Sequence, residues 1–323
     1  MRTTDFHYDL PPELIASRPL DDRSSSRMML IDRASGEISH HHFRDFPDLL
    51  PPDHLLVLND TKVIPARLFS NDGKIELVRT NAADPHHWWC LVRPGKKMRD
   101  GRTVQVGEST GTVVQTNEKG ERLIHWDTPP DLEEHGHLAL PHYMEREPDK
   151  ADRDRYQTVY AKEEGAIAAP TAGLHFTPEL LSKIDHTFLT LHVGVGTFRP
   201  VKAEDPRDHD MHAERYELNA EAAAKMQSAK KIAAVGTTVT RVLEHLVRDR
   251  KIAACQGETD IFIYPPYQLK AINALQTNFH LPCSTLMMLV SAFATRELIM
   301  EAYAKAVEEK YRFYSYGDCM LII

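Results

Sequence analysis

Hydrophobic and polar positions divide the chain into segments of two patterns. Short apolar runs bounded by turn residues are typical of buried strands, and longer segments with apolar residues at helical spacing predict helices. The strands predicted for the outer parts of the chain are 28–32, 36–43, 55–58, 188–193, 231–235, 260–264 and 319–323. The predicted helices are 12–16, 220–229, 239–250, 286–293 and 296–311. Strands that alternate with helices in this way predict an α/β domain.

The middle of the chain has a different pattern. From about residue 68 to residue 143 it consists of short β-rich pieces separated by turns, without a comparable helix signal. The predicted strands are 74–78, 88–92, 103–106, 111–114 and 122–126. This spacing predicts a small barrel or sandwich, followed by a charged linker at 145–155. We therefore predict an α/β main domain made of residues 1–67 and 150–323, with residues 68–149 inserted as a small β-barrel domain.

The composition is ordinary for a globular protein of this length. The chain has 323 residues, of which 42% are hydrophobic and 27% charged, and this length suggests roughly two domains. No signal peptide or membrane span is recognisable, so we expect a cytoplasmic protein with no membrane partner. The four cysteines lack metal-ligand spacing and are expected to be free thiols. A net charge of −8 argues against extended coating of nucleic acid.

One basic stretch contrasts with this acidic background. It contains five cations and a single acid, Asp100, and it follows Trp88 and Trp89. Basic residues near aromatic rings can bind phosphates and stack on bases, but a solvated hairpin has the same composition, and the pattern leaves both interpretations open. The candidate nucleic-acid-binding cations are Arg93, Lys96, Lys97, Arg99 and Arg102.

The loop 168–177 combines residue types that suit contact with a small molecule. Pro170 restricts the backbone conformation, whereas Gly173 allows conformations that other residues rarely adopt. Thr177 followed by Pro178 predicts a capped helix start. An ordinary capped turn explains the same pattern about as well. The candidate binding residues of this loop are Thr171, Phe176 and Thr177.

Polar residues and glycines also follow three predicted strands, at the ends where α/β proteins bind ligands. Gly194 and Gly196 have the spacing of part of a dinucleotide-binding fingerprint, but the third glycine and the later acid are missing, which argues against a nicotinamide site. The candidate substrate-binding residues at these positions are Asn59, Asp60, Thr61, Lys62, Arg67, Gly194, Gly196, Thr197, Phe198, Arg199, Thr237, Thr238 and Arg241.

Four residues are candidates for proton transfer, namely His175, His192, His212 and Glu214. A single histidine is more often structural than catalytic, but these lie in or near the polar loops. The triple histidine at 40–42 lacks a carboxylate at ligand spacing and does not predict a metal site. The motifs of serine hydrolases, nucleotide triphosphatases and zinc proteases are absent from the sequence, which disfavours those classes.

Six motifs occur in order along the chain, at 59–68, 169–177, 192–200, 259–265, 278–282 and 316–318. Together they resemble the S-adenosylmethionine:tRNA ribosyltransferase-isomerase family of queuosine biosynthesis, and the resemblance covers nearly the whole chain. It implies an α/β domain interrupted by a β-barrel domain. It also implies transfer and isomerisation of the ribosyl group of S-adenosylmethionine onto 7-aminomethyl-7-deazaguanine at the tRNA wobble position. The implied products are epoxyqueuosine-tRNA, adenine and methionine, so S-adenosylmethionine is a consumed substrate and no cofactor is expected.

The resemblance suggests roles for several candidates. A base must remove a proton from the ribose 5′ carbon beside the sulfonium, and a proton donor must assist the departure of adenine; His175 and His192 are the first candidates. Arg199 is expected to hold the methionine carboxylate, and Phe176 or Phe198 to stack on adenine. We expect the tRNA to extend to the basic stretch, and the protein to be a monomer.

The sequence departs from the family pattern at three places. The helix after Thr177 is short, Cys283 stands where the family usually has lysine, and the segment 264–267 replaces a Pro-Gly pair. The second change removes a positive charge that could contact a phosphate or carboxylate. A catalytically silent RNA-binding relative is the alternative function, motivated by Cys283 and the acidic net charge.

Overall fold

Two sheets, one mixed and one antiparallel, dominate the computed structural model, which describes residues 1–194, 201, 203–248 and 252–323, with His142 described by its backbone alone. The strands are β1 (Arg27–Ile31), β2 (Ile38–His42), β3 (His54–Asn59), β4 (Thr61–Val63), β5 (Arg67–Phe69), β6 (Glu76–Ala82), β7 (His87–Arg93), β8 (Thr103–Val106), β9 (Ser109–Thr116), β10 (Arg122–Trp126), β11 (Glu163–Ala166), β12 (His186–Leu191), β13 (Glu214–Leu218), β14 (Lys231–Val235), β15 (Cys255–Thr259), β16 (Ala274–Asn278) and β17 (Cys319–Ile322). The α-helices are α1 (Phe46–Leu49), α2 (Leu132–His135), α3 (Lys150–Arg155), α4 (Pro178–Leu181), α5 (Ala220–Ser228), α6 (Gly236–Arg248), α7 (Thr285–Ala294) and α8 (Arg296–Glu308).

The large sheet has nine strands in the order β15-β13-β12-β3-β14-β16-β17-β1-β2. Its central strands β12, β3, β14 and β16 run parallel, while β13 and β15 extend it antiparallel at one edge. Along the chain, β3 leads to its neighbour β12 on one side, whereas β14 leads to β16 on the other. The strand order therefore reverses between β3 and β14, and α/β sheets bind ligands at such a position, outside the carboxyl ends of the strands.

The central strand β3 separates two hydrophobic cores. Leu55 and Val57 pack in one core and Leu56 and Leu58 in the other, because consecutive residues of a strand point to opposite faces. The larger core contains side chains of α5, α6, α7 and α8, and the smaller one contains side chains of α1 and α4. Burial on both faces explains why this strand is a continuous apolar run in the sequence.

The second sheet has six antiparallel strands in the order β5-β6-β7-β10-β9-β8 and is nearly closed into a barrel. The first and last strands approach each other beyond Phe69, where the backbone N–H of Asn71 donates to the carbonyl of Gln105 at 2.9 Å. Trp88, Cys90 and Trp126 fill the interior. The predicted combination of an α/β fold with a small β-barrel is confirmed at this level of detail, whereas the domain boundaries at 67/68 and 149/150 stay a prediction.

Two predicted segments have a different structure. The strand predicted at 260–264 is wrong, since the strand of this region is β15 and residues 260–264 have no strand pairing. Ile261 and Ile263 are buried. Their burial explains the alternation of apolar residues in this segment, although its backbone forms no hydrogen-bonded strand pair. The segment 145–155, predicted as a linker, contains α3, which begins after Asp149 because this side chain accepts hydrogen bonds from the N–H groups of Ala151 and Asp152.

Candidate active site

A cleft of about 1050 Å³ lies between the barrel and the carboxyl edge of the large sheet. The barrel contributes residues of β6 and β7, and the large-sheet side contributes the segments that follow β12 and precede β13. The lining residues on the barrel side include Arg79, Thr80, Asn81, Trp89, Leu91, Asn117 and Lys119. Those on the other side include Glu164, Gly165, His192, Gly194, His212, Glu214, Arg215 and Arg241. The cleft therefore brings together five residues predicted as functional, namely His192, Gly194, His212, Glu214 and Arg241.

His192 lies in the cleft wall directly after β12. Its Nδ1 is 2.8 Å from the hydroxyl oxygen of Thr61, and β11 approaches so closely that a Cβ on Gly165 would lie 2.8 Å from the ring. Burial, and secondarily the charge of Arg215, lowers the pKa of His192 below its ordinary value. No described residue hydrogen-bonds to Nε2, so the second ring nitrogen of His192 is available for chemistry.

Glu214 and Arg241 form a buried ion pair between Oε2 and Nη1 in the same wall. Glu214 Oε1 also accepts a hydrogen bond from the backbone N–H of Gly194 at 3.1 Å, and Arg241 Nε donates to the carbonyl of Ile261 at 3.2 Å. A buried pair of this kind is costly to break from one side, at roughly 3–5 kcal/mol. The arrangement favours a role in holding the backbone at Gly194 over the predicted roles of Glu214 in proton transfer and of Arg241 in substrate binding.

A smaller pocket of about 70 Å³ adjoins the cleft, and both cavities are lined by Val193 and Leu286. It lies where β14 ends and α6 begins, next to the end of β16. Three residues predicted to bind substrate line it, namely Thr171, Thr237 and Thr238. The site therefore consists of a large polar cleft and a narrow recess at the position where the strand order reverses.

His175 lies outside both cavities and is 3% exposed. Its Nδ1 is 2.9 Å from the Ser26 hydroxyl and its Nε2 is 3.1 Å from Asn278 Oδ1, so both ring nitrogens are occupied. Burial lowers its pKa to about 4. This geometry corrects the expectation that His175 faces the substrate, because the ring instead links the loop 168–177 to Asn278 in the wall of the small pocket.

The next two residues of that loop, Phe176 and Thr177, also contact other parts of the protein and do not face the cleft or the small pocket. Phe176 is fully buried and packs edge-on against Phe43 and Phe46, with ring centroids 4.8 and 5.4 Å apart, so its ring cannot stack on adenine as expected. Thr177 caps α4 by accepting a hydrogen bond from the N–H of Leu180 at 3.3 Å, which confirms the predicted cap. Because α4 has only four residues, its start is a weak anion site.

The polar run after β3 is mostly occupied by internal contacts. The amide of Asn59 bonds both the N–H and the carbonyl of Leu191, each at 2.9 Å, and so ties β3 to β12. Asp60 accepts from the Thr190 hydroxyl at 2.6 Å, and burial raises its pKa. The cations pair with acids: Lys62 with Glu164, and Arg67 with Glu76 and Glu147. Within this run, Thr61 and Lys62 contact residues of the cleft wall, Thr61 through His192 and Lys62 through Glu164.

Arg79 is a cleft residue that the sequence analysis did not single out. It lies on β6 with its guanidinium carbon 4.5 Å from the Trp88 ring centroid, and burial lowers its pKa. No described carboxylate lies within ion-pair distance of it. The sequence contains a signal for this position, because three consecutive polar residues, Arg79, Thr80 and Asn81, interrupt the alternation of apolar and polar residues expected for a strand. In the structure, the pairing of β6 with β7 shifts register at the same place. Such irregularities often redirect side chains toward a site.

The five cations of the predicted basic stretch are exposed to solvent. Arg93 ends β7, Lys96 and Lys97 lie in a 3₁₀-helix at Gly95–Lys97, and Arg99 and Arg102 precede β8. None of these five cations pairs with a carboxylate of the described residues. Of the two tryptophans, Trp88 fills the barrel interior and Trp89 lines the cleft. The cations thus form a free basic surface, called here the basic segment (residues 93–102).

Four predicted substrate-binding residues, namely Gly196, Thr197, Phe198 and Arg199, lie outside the described residues. Within the part of the chain that the structure describes, no cluster of histidine, cysteine and acidic side chains could hold a metal ion. In the same part of the chain, no helix is long and apolar enough to cross a membrane.

The fold and the cleft define a class: an α/β protein that carries an antiparallel β-barrel, with a polar site between the two. Residues 3–322 match the family model described as queuosine biosynthesis protein. The chain therefore belongs to the queuosine biosynthesis protein family, as its motifs predict.

Curated relatives and a solved structure agree with this membership. S-adenosylmethionine:tRNA ribosyltransferase-isomerases of Halothermothrix orenii and Symbiobacterium thermophilum are 47% and 48% identical to the chain, with all of both chains covered. The crystal structure of S-adenosylmethionine tRNA ribosyltransferase from Thermotoga maritima is 36% identical and has a TM-score of 0.57. That comparison covers 99% of this chain and 100% of the other.

Proposed function

We propose that this protein is an S-adenosylmethionine:tRNA ribosyltransferase-isomerase of queuosine biosynthesis. The observation that carries the proposal is the match over the whole chain to enzymes of that name at about 46–48% identity. In the reaction, the ribosyl group of S-adenosylmethionine is transferred to 7-aminomethyl-7-deazaguanine at the tRNA wobble position and isomerised. Epoxyqueuosine-tRNA forms, and adenine and methionine leave. S-adenosylmethionine is a consumed substrate, and the proposed reaction uses no further cofactor.

The proposal includes an organisation of the chain. Residues 1–67 and 150–323 form the catalytic α/β domain, and residues 68–149 form the inserted barrel domain. The cleft lies between the two sheets, so both domains would contact the substrates. The enzyme would act as a cytoplasmic monomer whose macromolecular partner is the precursor tRNA.

His192 is our candidate for the base that starts the reaction. The sulfonium of S-adenosylmethionine acidifies the adjacent ribose 5′ carbon, so a positioned neutral base can remove a proton from it. Burial lowers the pKa of His192 and so favours its neutral form, Thr61 contacts its ring at Nδ1, and the cleft is large enough for the adenosyl group. His212 lines the same cleft and is the candidate proton donor for departing adenine. His175 acts as a positioning residue through Asn278.

The barrel side of the cleft would receive the tRNA. Arg79 and Lys119 supply positive charge inside the cleft, and Trp89 supplies an aromatic surface for a nucleobase. The basic segment continues from the end of β7 and would contact the phosphate backbone outside the cleft. This division places recognition of the RNA on the barrel and the chemistry on the large sheet.

Release of adenine tests the proposed function directly. Purified protein is incubated with S-adenosylmethionine and precursor tRNA, and free adenine is measured by chromatography. Wild type should release adenine in a tRNA-dependent manner, and His192→Gln should lower the rate by about 100-fold or more because general bases contribute roughly 10²–10⁴.

His186→Gln is the matched control, since His186 begins the same strand and bonds the carbonyl of Ile184. It should keep the wild-type rate. Wild-type release by His192→Gln would remove His192 from the mechanism. A wild-type protein that binds tRNA without releasing adenine would be the catalytically silent RNA-binding relative.

A further inference from the structure

The small pocket beside the cleft has the properties of a site for one defined chemical group. Its volume of about 70 Å³ has room for about five to seven water-sized groups, since one water needs roughly 10–15 Å³ by the same measure. Its walls are largely apolar, with Ala169, Ala172 and Phe279 among them, and no lining residue is an acid, a lysine or an arginine. The polar groups in it are hydroxyls, the Asn278 amide and the His280 imidazole.

The N-terminus of α6 supplies the positive potential of this pocket. α6 has 13 residues, and the first N–H groups of an α-helix lack intrahelical partners and attract anions. Gly236 has φ of +85°, which lets the helix begin directly at the end of β14. A Cβ at Gly236 would lie 3.3 Å from the Ala172 side chain. The loop 168–177 therefore packs closely against the start of the helix and closes one wall.

Thr238 gives an independent indication of a ligand. It lies in the first turn of α6, is 7% exposed and lines the pocket. Its hydroxyl oxygen is buried and has no hydrogen-bond partner among the described residues. A buried hydroxyl without a partner is destabilising, so its presence in the pocket wall points to a group that bonds to it when the pocket is occupied.

We propose that this pocket, in place of the Arg199 expected from the sequence, holds the carboxylate end of the methionyl part of S-adenosylmethionine. The inference rests on the proposed function, which makes S-adenosylmethionine the substrate. The carboxylate would accept hydrogen bonds from the first N–H groups of α6 and from Thr238, and the apolar walls would contact the methylene groups. The adenosyl part is too large for 70 Å³ and would extend past Val193 and Leu286 into the cleft that contains His192.

This placement also gives a reason for the buried contacts of His175. His175 holds Asn278 Oδ1, and Asn278 Nδ2 donates to the carbonyl of Tyr314 at 2.8 Å. Asn278 and Tyr314 are both wall residues of the pocket. The imidazole thus fixes the shape of the carboxylate site from behind, without contacting the substrate.

The test compares ligands that differ in the carboxylate. Dissociation constants for S-adenosylmethionine and for 5′-methylthioadenosine, which lacks the whole amino acid, are measured by calorimetry. Thr238→Val should weaken binding of S-adenosylmethionine about tenfold or more and leave 5′-methylthioadenosine unchanged, because hydrogen bonds to charged groups are the strong ones. Thr238→Ser should bind both ligands as wild type does.

Thr240→Val is the matched control. Thr240 lies in the same helix and is also buried, but its hydroxyl donates to the carbonyl of Gly236 at 3.1 Å and it is not part of the pocket wall. It should leave both affinities unchanged. A second measurement needs only wild-type protein: S-adenosylmethionine without its carboxylate should bind about tenfold or more weakly than S-adenosylmethionine itself.

Equal affinity of wild type for the two sulfonium ligands would overturn the inference, as would loss of 5′-methylthioadenosine binding in Thr238→Val. These outcomes are distinct from a failure of the proposed function. Adenine release by wild type, together with unchanged S-adenosylmethionine affinity in Thr238→Val, would refute the carboxylate site alone. Carboxylate-dependent binding without adenine release would refute the proposed activity and support the site.

Discussion

Two histidines with the same signal in the sequence have opposite environments in the molecule. His192 uses Nδ1 to contact Thr61 and lines the cleft, whereas His175 uses both nitrogens for partners 149 and 103 residues away in the chain. A histidine in a polar loop of the sequence can therefore be either a catalytic base or a buried residue that is hydrogen-bonded through both ring nitrogens. The distinction depends on which distant residues fold against the ring.

Burial of neutral histidines should make the stability of the protein depend on pH. Burial lowers the pKa of His175 to about 4 and that of His280 to about 3, below the value near 6.5 of an unfolded chain. The unfolded state therefore binds more protons between these values. The stabilisation is complete above pH 6.5 and is lost as pH falls toward 4, by up to about 1.4 kcal/mol per pH unit for each group.

Urea unfolding of wild type and His175→Gln at several pH values from 4.5 to 7.5 measures this effect. The variant should be less stable at pH 7.5, because Ser26 and Asn278 lose their partner. Its free energy of unfolding should also fall less steeply than that of wild type below pH 6.5. Parallel curves for the two proteins would show that His175 does not remain neutral in the folded state.

At the scale of single elements, β7 shows how a strand distributes its side chains between a core and a site. Trp88 and Cys90 point into the barrel, while Trp89 and Leu91 line the cleft on the outer face. Arg93 is two residues beyond Leu91 and so shares this outer face. The strand therefore connects the cleft to the basic segment along one continuous surface.

Removing charges from the basic segment should weaken tRNA binding and its salt dependence. Changing Lys96, Lys97 and Arg99 to Ala removes three exposed cations that lack acidic partners among the described residues. If each contacts a phosphate, the slope of log affinity against log salt should decrease by about two to three, since each contact contributes roughly 0.7–0.9. The affinity for S-adenosylmethionine should not change.

Binding of precursor tRNA at four salt concentrations checks this expectation. A second triple variant, in which Lys183, Lys230 and Lys305 become Ala, removes the same number of charges from the large-sheet part and should keep the wild-type slope. Equal slopes for wild type and the basic-segment variant would place the RNA elsewhere on the protein.

The strands that sequence patterns missed have a physical explanation. β16 is fully buried although it contains Gln276, Thr277 and Asn278. Because these three residues are polar, the segment lacks the apolar run that predicts a buried strand. β13 alternates buried and exposed residues, but its buried positions include Glu214, which pairs with Arg241. Hydrophobic periodicity cannot identify a strand whose buried positions carry polar or charged side chains.

At the scale of the whole molecule, the cleft exists because two sheets with separate cores face each other. The proposed base and the basic segment belong to different parts of the molecule. His192 lies in the cleft wall on the large-sheet side, whereas the cations of the basic segment lie between β7 and β8 of the barrel. The small molecule and the tRNA should therefore leave different footprints. This difference can be measured without substitutions.

Hydrogen exchange on wild-type protein should separate the two footprints. S-adenosylmethionine alone should slow exchange in 168–173 and 236–241, around the small pocket. Precursor tRNA should in addition slow exchange in β6 and β7 and in the basic segment, because the outer face of the barrel would become covered. Protection by tRNA limited to the large-sheet side would contradict an RNA site on the barrel.

The sequence by itself determined the class of fold, the presence of a small antiparallel barrel-like sheet and the family, since periodicity and contiguous motifs are local properties of the chain. Only the tertiary structure decided what each motif residue does. Asn59 ties two strands, Phe176 fills a core and His175 supports a pocket wall, whereas Thr238 retains a buried hydroxyl without a described partner. Availability for a ligand depends on which distant groups fold against a side chain, and that information is not local.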